Sequence, residues 1–283
     1  TSYVLPILAA RITGKTVVLE PRGNVPLTLY LTWRKSMPDH LARLLSGIVG
    51  MLERVCYSLA DAIITYTPSM AAELGLDSFD EKLYPHGARY VNTDRFSVKS
   101  PFEERGDVVG FVGRIDEEKG IQSLAEVAER LSNTITFRFV GDGPLYNWLN
   151  SELEEEIQLG RVEMTGWVDH EEIPNQLNDL KLLIMASQPT EGLPTIILES
   201  MACGVPVMAP GVSGIPDVVR HGETGIIVNN VDPISMVSLI ESQLDTENEL
   251  SDMSVNAREL IEESYSFSAA KDRYSSIISS LRS

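Results

Sequence analysis

Between residues 107 and 231, short apolar runs alternate with amphipathic stretches so regularly that few folds can hold them. The runs lie at 108–112, 135–140, 162–164, 182–186, 205–209 and 226–228. Helical patterns at 121–131, 145–157, 173–180 and 195–203 separate most of them. Strands that read as continuous apolar runs are buried on both faces, and a strand–helix–strand succession makes them parallel. The fold class that follows is α/β, with a parallel sheet covered on both sides.

The first hundred residues carry less of this pattern. Strand-like runs occur at 16–19, 62–65 and 83–85, around a long amphipathic segment at 38–60. That segment places Leu41, Leu44, Leu45, Ile48, Leu52, Val55 and Leu59 at helical spacing and reads as a core helix. Two or three strands do not complete a Rossmann-like domain, and Thr1 opens directly into an apolar helical pattern. The expected organisation is a partial first domain at 1–100, a second domain at 101–265, and a last helix at 266–283 that crosses back to the first. Residues 97–106, with Pro101 and several charges, read as the linker.

Charge narrows the function. A chain of 283 residues with 41 acidic and 23 basic side chains has a net charge of -18. It lacks the basic footprint that nucleic acid requires. Arginine outnumbers lysine, and the acidic surface suits a high-salt cytoplasm as well as an ordinary one. Cys56 and Cys203 sit in apolar helical patterns and read as buried thiols of a reducing compartment. No run approaches the roughly 18 apolar residues of a membrane span, so a cytoplasmic location is expected.

The stretch from Thr190 to Val207 carries the chemistry. Glu191 and Glu199 stand eight positions apart, with Gly192 and Pro194 between them and Gly204 and Pro206 after them. Pro194 suits a first helical turn, where a missing N–H costs nothing. Gly204 suits a left-handed cap. The N–H groups of Leu193, Thr195 and Ile196 then face the preceding loop with the positive helix end behind them. This is an anion site flanked by two carboxylates, fit for a ligand with phosphate and several hydroxyls.

Several further motifs occur in order. They are Phe111-Val112-Gly113-Arg114 with Lys119-Gly120, Val140-Gly141-Asp142-Gly143-Pro144, and Thr165-Gly166-Trp167-Val168. Glu191-Gly192-Leu193-Pro194, the run Glu199 to Val207, and Gly222-Glu223-Thr224-Gly225 complete the set, with His86-Gly87 and Asp94-Arg95-Phe96 upstream. Together they resemble the retaining glycosyltransferases of the GT-B fold, family 4 type, over residues 15–283. The resemblance implies two Rossmann-like domains with parallel sheets, the N-terminal one incomplete. The family's opening strand and glycine-rich loop have no counterpart here, so an N-terminal truncation is expected.

The resemblance also implies roles. Arg114 and Lys119 would meet the donor diphosphate, stabilising charge on the leaving group; the competing reading pairs Arg114 with Asp116, Glu117 or Glu118. Glu199 would accept from the ribose hydroxyls and Glu191 would meet the transferred sugar. Gly113, Gly192, Leu193, Pro194, Thr195 and Val168 would line the donor. No Asp-x-Asp is present, so neither a metal nor another cofactor is expected, the nucleotide-sugar being the substrate. Arg22 takes the place of a histidine common in the family. His40, His86, His170 and His221 lack ligand spacing and read as surface or turn residues.

The implied activity is hexosyl transfer, with retention, from a nucleotide-sugar to a glycan or lipid-linked acceptor, as in polysaccharide biosynthesis. Partners would be the donor, that saccharide acceptor and no nucleic acid. Arg34, Lys35, Arg43 and Arg54 near the 38–60 helix add the alternative of peripheral contact with the inner membrane face. A non-catalytic donor-binding fragment and a GT-B epimerase or phosphorylase are the competing functions.

Overall fold

Six parallel strands form the larger sheet of the protein. The computed structural model describes residues 4–87, 89–186, 192–229 and 231–281. The chain forms two units. The first holds residues 1–89, 189–193 and 270–283, and the second holds residues 90–188 and 194–269.

In the first unit, helix α1 (Val4–Ile12) leads to strand β1 (Val18–Leu19). Helix α2 (Val25–Trp33) follows, its first turn closed by the Asn24 side chain accepting from the Leu27 N–H. Helix α3 (Asp39–Leu59), strand β2 (Ala62–Ile64), helix α4 (Pro68–Glu73) and strand β3 (Leu83–Tyr84) complete the order. The three strands pair in parallel as β1-β2-β3, with Val18 opposite Ala62 and Ile63 opposite Leu83. Ile7, Val17, Cys56, Tyr57, Ile63 and Leu76 form the core.

Helix α3 corrects the core-helix reading. Its buried residues are Ala42, Val49, Cys56 and Tyr57, one stripe at heptad spacing. Leu41, Leu44, Ile48 and Val55 are exposed instead. The reason is the size of the sheet: three strands of two or three residues cannot cover a helix of 21.

The second unit is built from strand β4 (Val108–Val112), helix α5 (Ile121–Arg130), strand β5 (Thr136–Val140) and strand β6 (Val162–Gly166), with helices α6 (Tyr146–Glu152) and α7 (Glu154–Gln158) before β6. Helix α8 (Ile173–Asn178), strand β7 (Leu182–Ile184), helix α9 (Thr195–Ala202), strand β8 (Val207–Pro210) and strand β9 (Gly225–Val228) follow. Helices α10 (Pro233–Asp245) and α11 (Glu247–Leu260) and a π-helical turn close the unit. Helix α12 (Phe267–Ser280) runs on into the first unit.

In β4, β7 and β8 both faces are buried, as the apolar runs require, while edge strand β6 alternates buried with exposed residues. Helix α5 buries Ile121, Leu124, Ala125, Val127 and Ala128 on one side of itself. Phe137 and Phe139 stack with ring centroids 4.5 Å apart in the centre. The single helix read at 145–157 is two, broken at Leu153, whose φ of -102° and ψ of 20° leave the helical region. The supposed linker at 97–106 is packed: Phe102 and Arg105 are both buried. Four charges and a proline give it a polar look, but its one aromatic residue is the anchor.

Candidate functional site

The strand order fixes where a ligand belongs. From β4 the chain moves outward through β5 and β6, then returns to the other side of β4 with β7 and continues through β8 and β9. The reversal lies between β4 and β7, and open parallel sheets bind ligands beyond the carboxyl ends of their strands at such a point. Residues 113–120 follow β4 there, and the segment leading to α9 follows β7.

The turns beyond β4, β5 and β6 are laced together. The Gly113 N–H donates to the Val140 carbonyl, the Gly141 N–H to the Gly166 carbonyl and the Ile115 N–H to the Asp142 carbonyl, each at 2.9 Å. Gly141 has a φ of +133°, and a Cβ there would lie 1.9 Å from the Gly113 oxygen. Gly120, at φ +71°, would bring a Cβ to 2.4 Å from the Ala186 oxygen. Only glycine fits either place, and the two lock the β4 turn against β5 and against the end of β7.

On this platform Arg114 is exposed and its Nε lies 3.3 Å from Asp116 Oδ2. Asp116 also caps the short turn at Glu117–Lys119 by accepting from the Lys119 N–H at 3.1 Å. The competing Arg114–Asp116 pairing is therefore present. With Arg114 largely exposed, it is a weak tie. Lys119 is half-buried.

Helix α9 starts after Pro194, whose ψ of 133° is extended and which gives no side-chain cap, and it ends where Gly204 takes a φ of +65°. The sequence reading of this helix and its cap holds. Ile197, Leu198, Met201 and Ala202 are fully buried. Among them Glu199 is only 7% exposed. A carboxylate in such surroundings needs a partner, and among the described residues His170 supplies it: Nε2 lies 2.9 Å from Glu199 Oε1. The imidazole packs beside buried Phe96, with ring centroids 5.6 Å apart. His170 is the exposed turn residue that the sequence suggests, and it also partners Glu199. The residues that meet are 29 positions apart, and no local pattern announces them.

The carboxyl end of α9 is held by two arginines. Arg105 donates to the carbonyls of Ser100, Leu180, Cys203 and Gly204. Arg258 donates to those of Phe96 and Ala202. Cations at a helix carboxyl end satisfy its free carbonyls and oppose its dipole. Cys203 is a buried free thiol pushed up to about 12, mainly by burial.

Residues 92–260 match the family model of the glycosyl transferases group 1. The chain belongs to the glycosyl transferases group 1 family. Among curated relatives of this family it is 27% identical to the alpha-D-kanosaminyltransferase of Streptomyces kanamyceticus, over 96% of this chain and 72% of that protein. It is 34% identical to the 2-deoxystreptamine glucosyltransferase of the same organism, over 62% of this chain and 49% of that protein. Anabaena HepE, solved in complex with UDP, matches with a TM-score of 0.76 at 18% identity, over 98% of this chain and 76% of the other. The sucrose-phosphate synthase of Thermosynechococcus elongatus matches with a TM-score of 0.74 at 21% identity, over 94% and 68%. The fold is GT-B.

For the group 1 glycosyltransferase motifs, the second unit brings Gly113, Arg114 and Lys119 to the switch point and puts Glu199 on the buried side of α9. Val168 is half-buried, after Gly166 at φ +69° and a Trp167 that is 70% exposed. Glu191 lies outside the described residues. Gly192 and Leu193 group with the first unit. There the Gly192 N–H donates to the Arg22 carbonyl at 3.1 Å and Arg89 donates to the Leu193 carbonyl. The Gly192 N–H is thereby committed to a backbone carbonyl. Thr195 is half-buried in the first turn of α9, after Pro194. Arg22 is exposed, in a turn lining a cavity of about 590 Å³ in the first unit together with Val18, Glu20, Glu53 and Tyr57. Among the described residues no three His, Cys, Asp or Glu side chains converge as metal ligands would, and no helix is long and apolar enough to cross a membrane.

Proposed function

We propose that this chain transfers a hexosyl group from a nucleotide-sugar to a saccharide or lipid-linked acceptor, with retention at the anomeric carbon. One observation carries the donor half of this reading: a carboxylate, Glu199, buried on a helix of the switch-point sheet whose β4 turn presents Arg114 and Lys119. An acceptor-only group suits the vicinal hydroxyls of a ribose. Two cations suit a departing diphosphate. HepE was solved with UDP and with UDP-glucose, which supports the same ligand class here.

In this reading Glu199 holds the ribose, and Gly113, Thr195, Val168 and the start of α9 line the donor. Glu191 meets the transferred sugar with Leu193 and Pro194, and the first unit provides acceptor contacts. Arg114 and Lys119 neutralise the diphosphate as its bond to the sugar breaks, a task they perform without a metal. Orientation and charge stabilisation then supply most of the rate.

Calorimetry with UDP, GDP and ADP tests the donor site. One of them should bind, and Glu199→Ala should weaken it by about 30-fold, the worth of hydrogen bonds to a charged group. Unchanged affinity in Glu199→Ala would refute the ribose assignment. Transfer from the matching nucleotide-sugar should persist in EDTA. Proton NMR of the product should show the donor's anomeric configuration kept; inversion would overturn that part of the reading.

A further inference from the structure

Glu199 has a neighbour that the glycosyltransferase motifs do not include. His170 follows β6 in the turn Trp167-Val168-Asp169, and its Nε2 is 2.9 Å from Glu199 Oε1. The side chain of His170 is 61% exposed and that of Glu199 9%. An exposed imidazole therefore reaches in to a buried carboxylate, and the pair stands where the β6 turn meets α9. The contact is not needed to bury an aromatic ring, since most of the imidazole remains in solvent.

We infer that His170 is a positioning residue that sets the plane of the Glu199 carboxylate, and so the protein's selectivity for a ribose carrying both vicinal hydroxyls. The inference rests on the assignment of Glu199 to the ribose. The terminal torsion of a glutamate is broad and roughly two-fold, so an unrestrained carboxylate rotates. A carboxylate has about four acceptor positions. With Nε2–H donating to Oε1, one position is filled and the plane is fixed, leaving the others to receive two hydroxyl protons at once. Phe96 fixes the imidazole in turn, with its ring beside it and its carbonyl held by Arg258. A ligand that finds the acceptor already oriented does not have to order it.

The test is calorimetry of UDP, GDP and ADP, each beside its 2′,3′-dideoxy form, on wild type, Glu199→Ala, His170→Phe and His170→Gln. Wild type should prefer the ribonucleotide. His170→Phe keeps a flat ring beside Phe96 but has no donor. It should lose about fivefold in affinity for the ribonucleotide and nothing for the dideoxy form. His170→Gln, whose amide can donate in place of Nε2, should recover most of the loss, with melting temperatures unchanged in both. Equal losses on both nucleotides, no loss, or tighter binding in His170→Phe would overturn the inference while leaving Glu199 its role. A wild type indifferent to the hydroxyls, or a Glu199→Ala that still selects them, would overturn the ribose assignment and this inference with it.

Discussion

The two units spend their hydrophobic residues differently. In the second, the central strands and the faces of α5 and α9 that meet them are sealed: Leu124, Phe137, Leu182 and Leu198 are all fully buried. In the first, Leu5 is 78% exposed, Ile12 85% and Met51 68%, though α1, which carries the first two, is as apolar as α9. A six-stranded sheet offers two faces to cover and a three-stranded one of short strands hardly any. The donor-side chemistry proposed above sits on the sealed unit. That suits a function which depends on holding Glu199 and the β4 turn still, since buried packing resists local opening.

Glycines give the sharpest test of this contrast. Gly141→Ala sets a Cβ 1.9 Å from a backbone oxygen, with φ at +133°, and nothing flexible can yield. It should cost about 3 kcal/mol or more in urea unfolding, or prevent folding of the second unit. Gly14 in the first unit, at φ +68°, has nothing within 4 Å of its notional Cβ. Gly14→Ala should cost about 1 kcal/mol, the strain of the left-handed backbone alone. Equal costs would mean that the laced turns are no tighter than a surface loop.

A second pairing concerns arginines. Arg105 is 5% exposed and its guanidinium serves four carbonyls, two of them closing the end of α9. Arg105→Met strands those oxygens but also relieves the burial of a charge, so the net loss should be about 2 kcal/mol. Arg54, exposed in the first unit, reaches a single carbonyl at 3.4 Å. Arg54→Met should shift stability by less than about 0.5 kcal/mol. If Arg105→Met is equally silent in the melting curve, α9 does not depend on its capping arginines.

The same contrast explains what could be read from the chain before its structure. Local signals placed β4 at Val108–Val112 without error, and α9 with Pro194 before it and Gly204 after it. They suffice because parallel-strand burial and helix caps are written within a few residues. Helix α2 is not legible although Asn24 and Pro26 mark its start, because Val25–Trp33 is largely apolar all round and shows no stripe. Helices α10 and α11 are not legible from the apolar pattern either, although Asp232 caps the first by accepting from the Ser235 N–H. The burial of Arg105 and the reach of His170 to Glu199 depend on partners dozens of residues away. No spacing rule reports those. For the candidate site, the residue types were legible and their orientation was not.

Cysteines compare the units under alkali. Burial pushes the Cys203 thiol from 9.0 up to about 12, while Cys56 is raised by burial as well. A thiol whose folded value lies above its unfolded one keeps its proton in the native state after the unfolded chain has lost it. Its contribution is intact below about pH 9 and falls as pH rises toward 12. Urea unfolding at successive pH values should show that decline, and Cys203→Ala should flatten it more than Cys56→Ala. In native protein, iodoacetamide should reach Cys56, 7% exposed, before Cys203, which is fully buried. Faster labelling of Cys203 would show that α9 opens more readily than α3.

The smallest effect belongs to the exposed face of α3. Leu44, Ile48, Met51 and Val55 follow one another at helical spacing, and Leu44 and Met51 are 62% and 68% exposed. Side chains already in water lose little when made polar. Leu44→Gln with Met51→Gln should therefore change unfolding free energy by less than about 0.5 kcal/mol per site. The same pair should lower the fluorescence of the apolar dye ANS, because a contiguous apolar face is what such a dye finds. A loss above about 1 kcal/mol would mean that this face is covered in solution, and the contrast between the two units would then narrow to the strands alone.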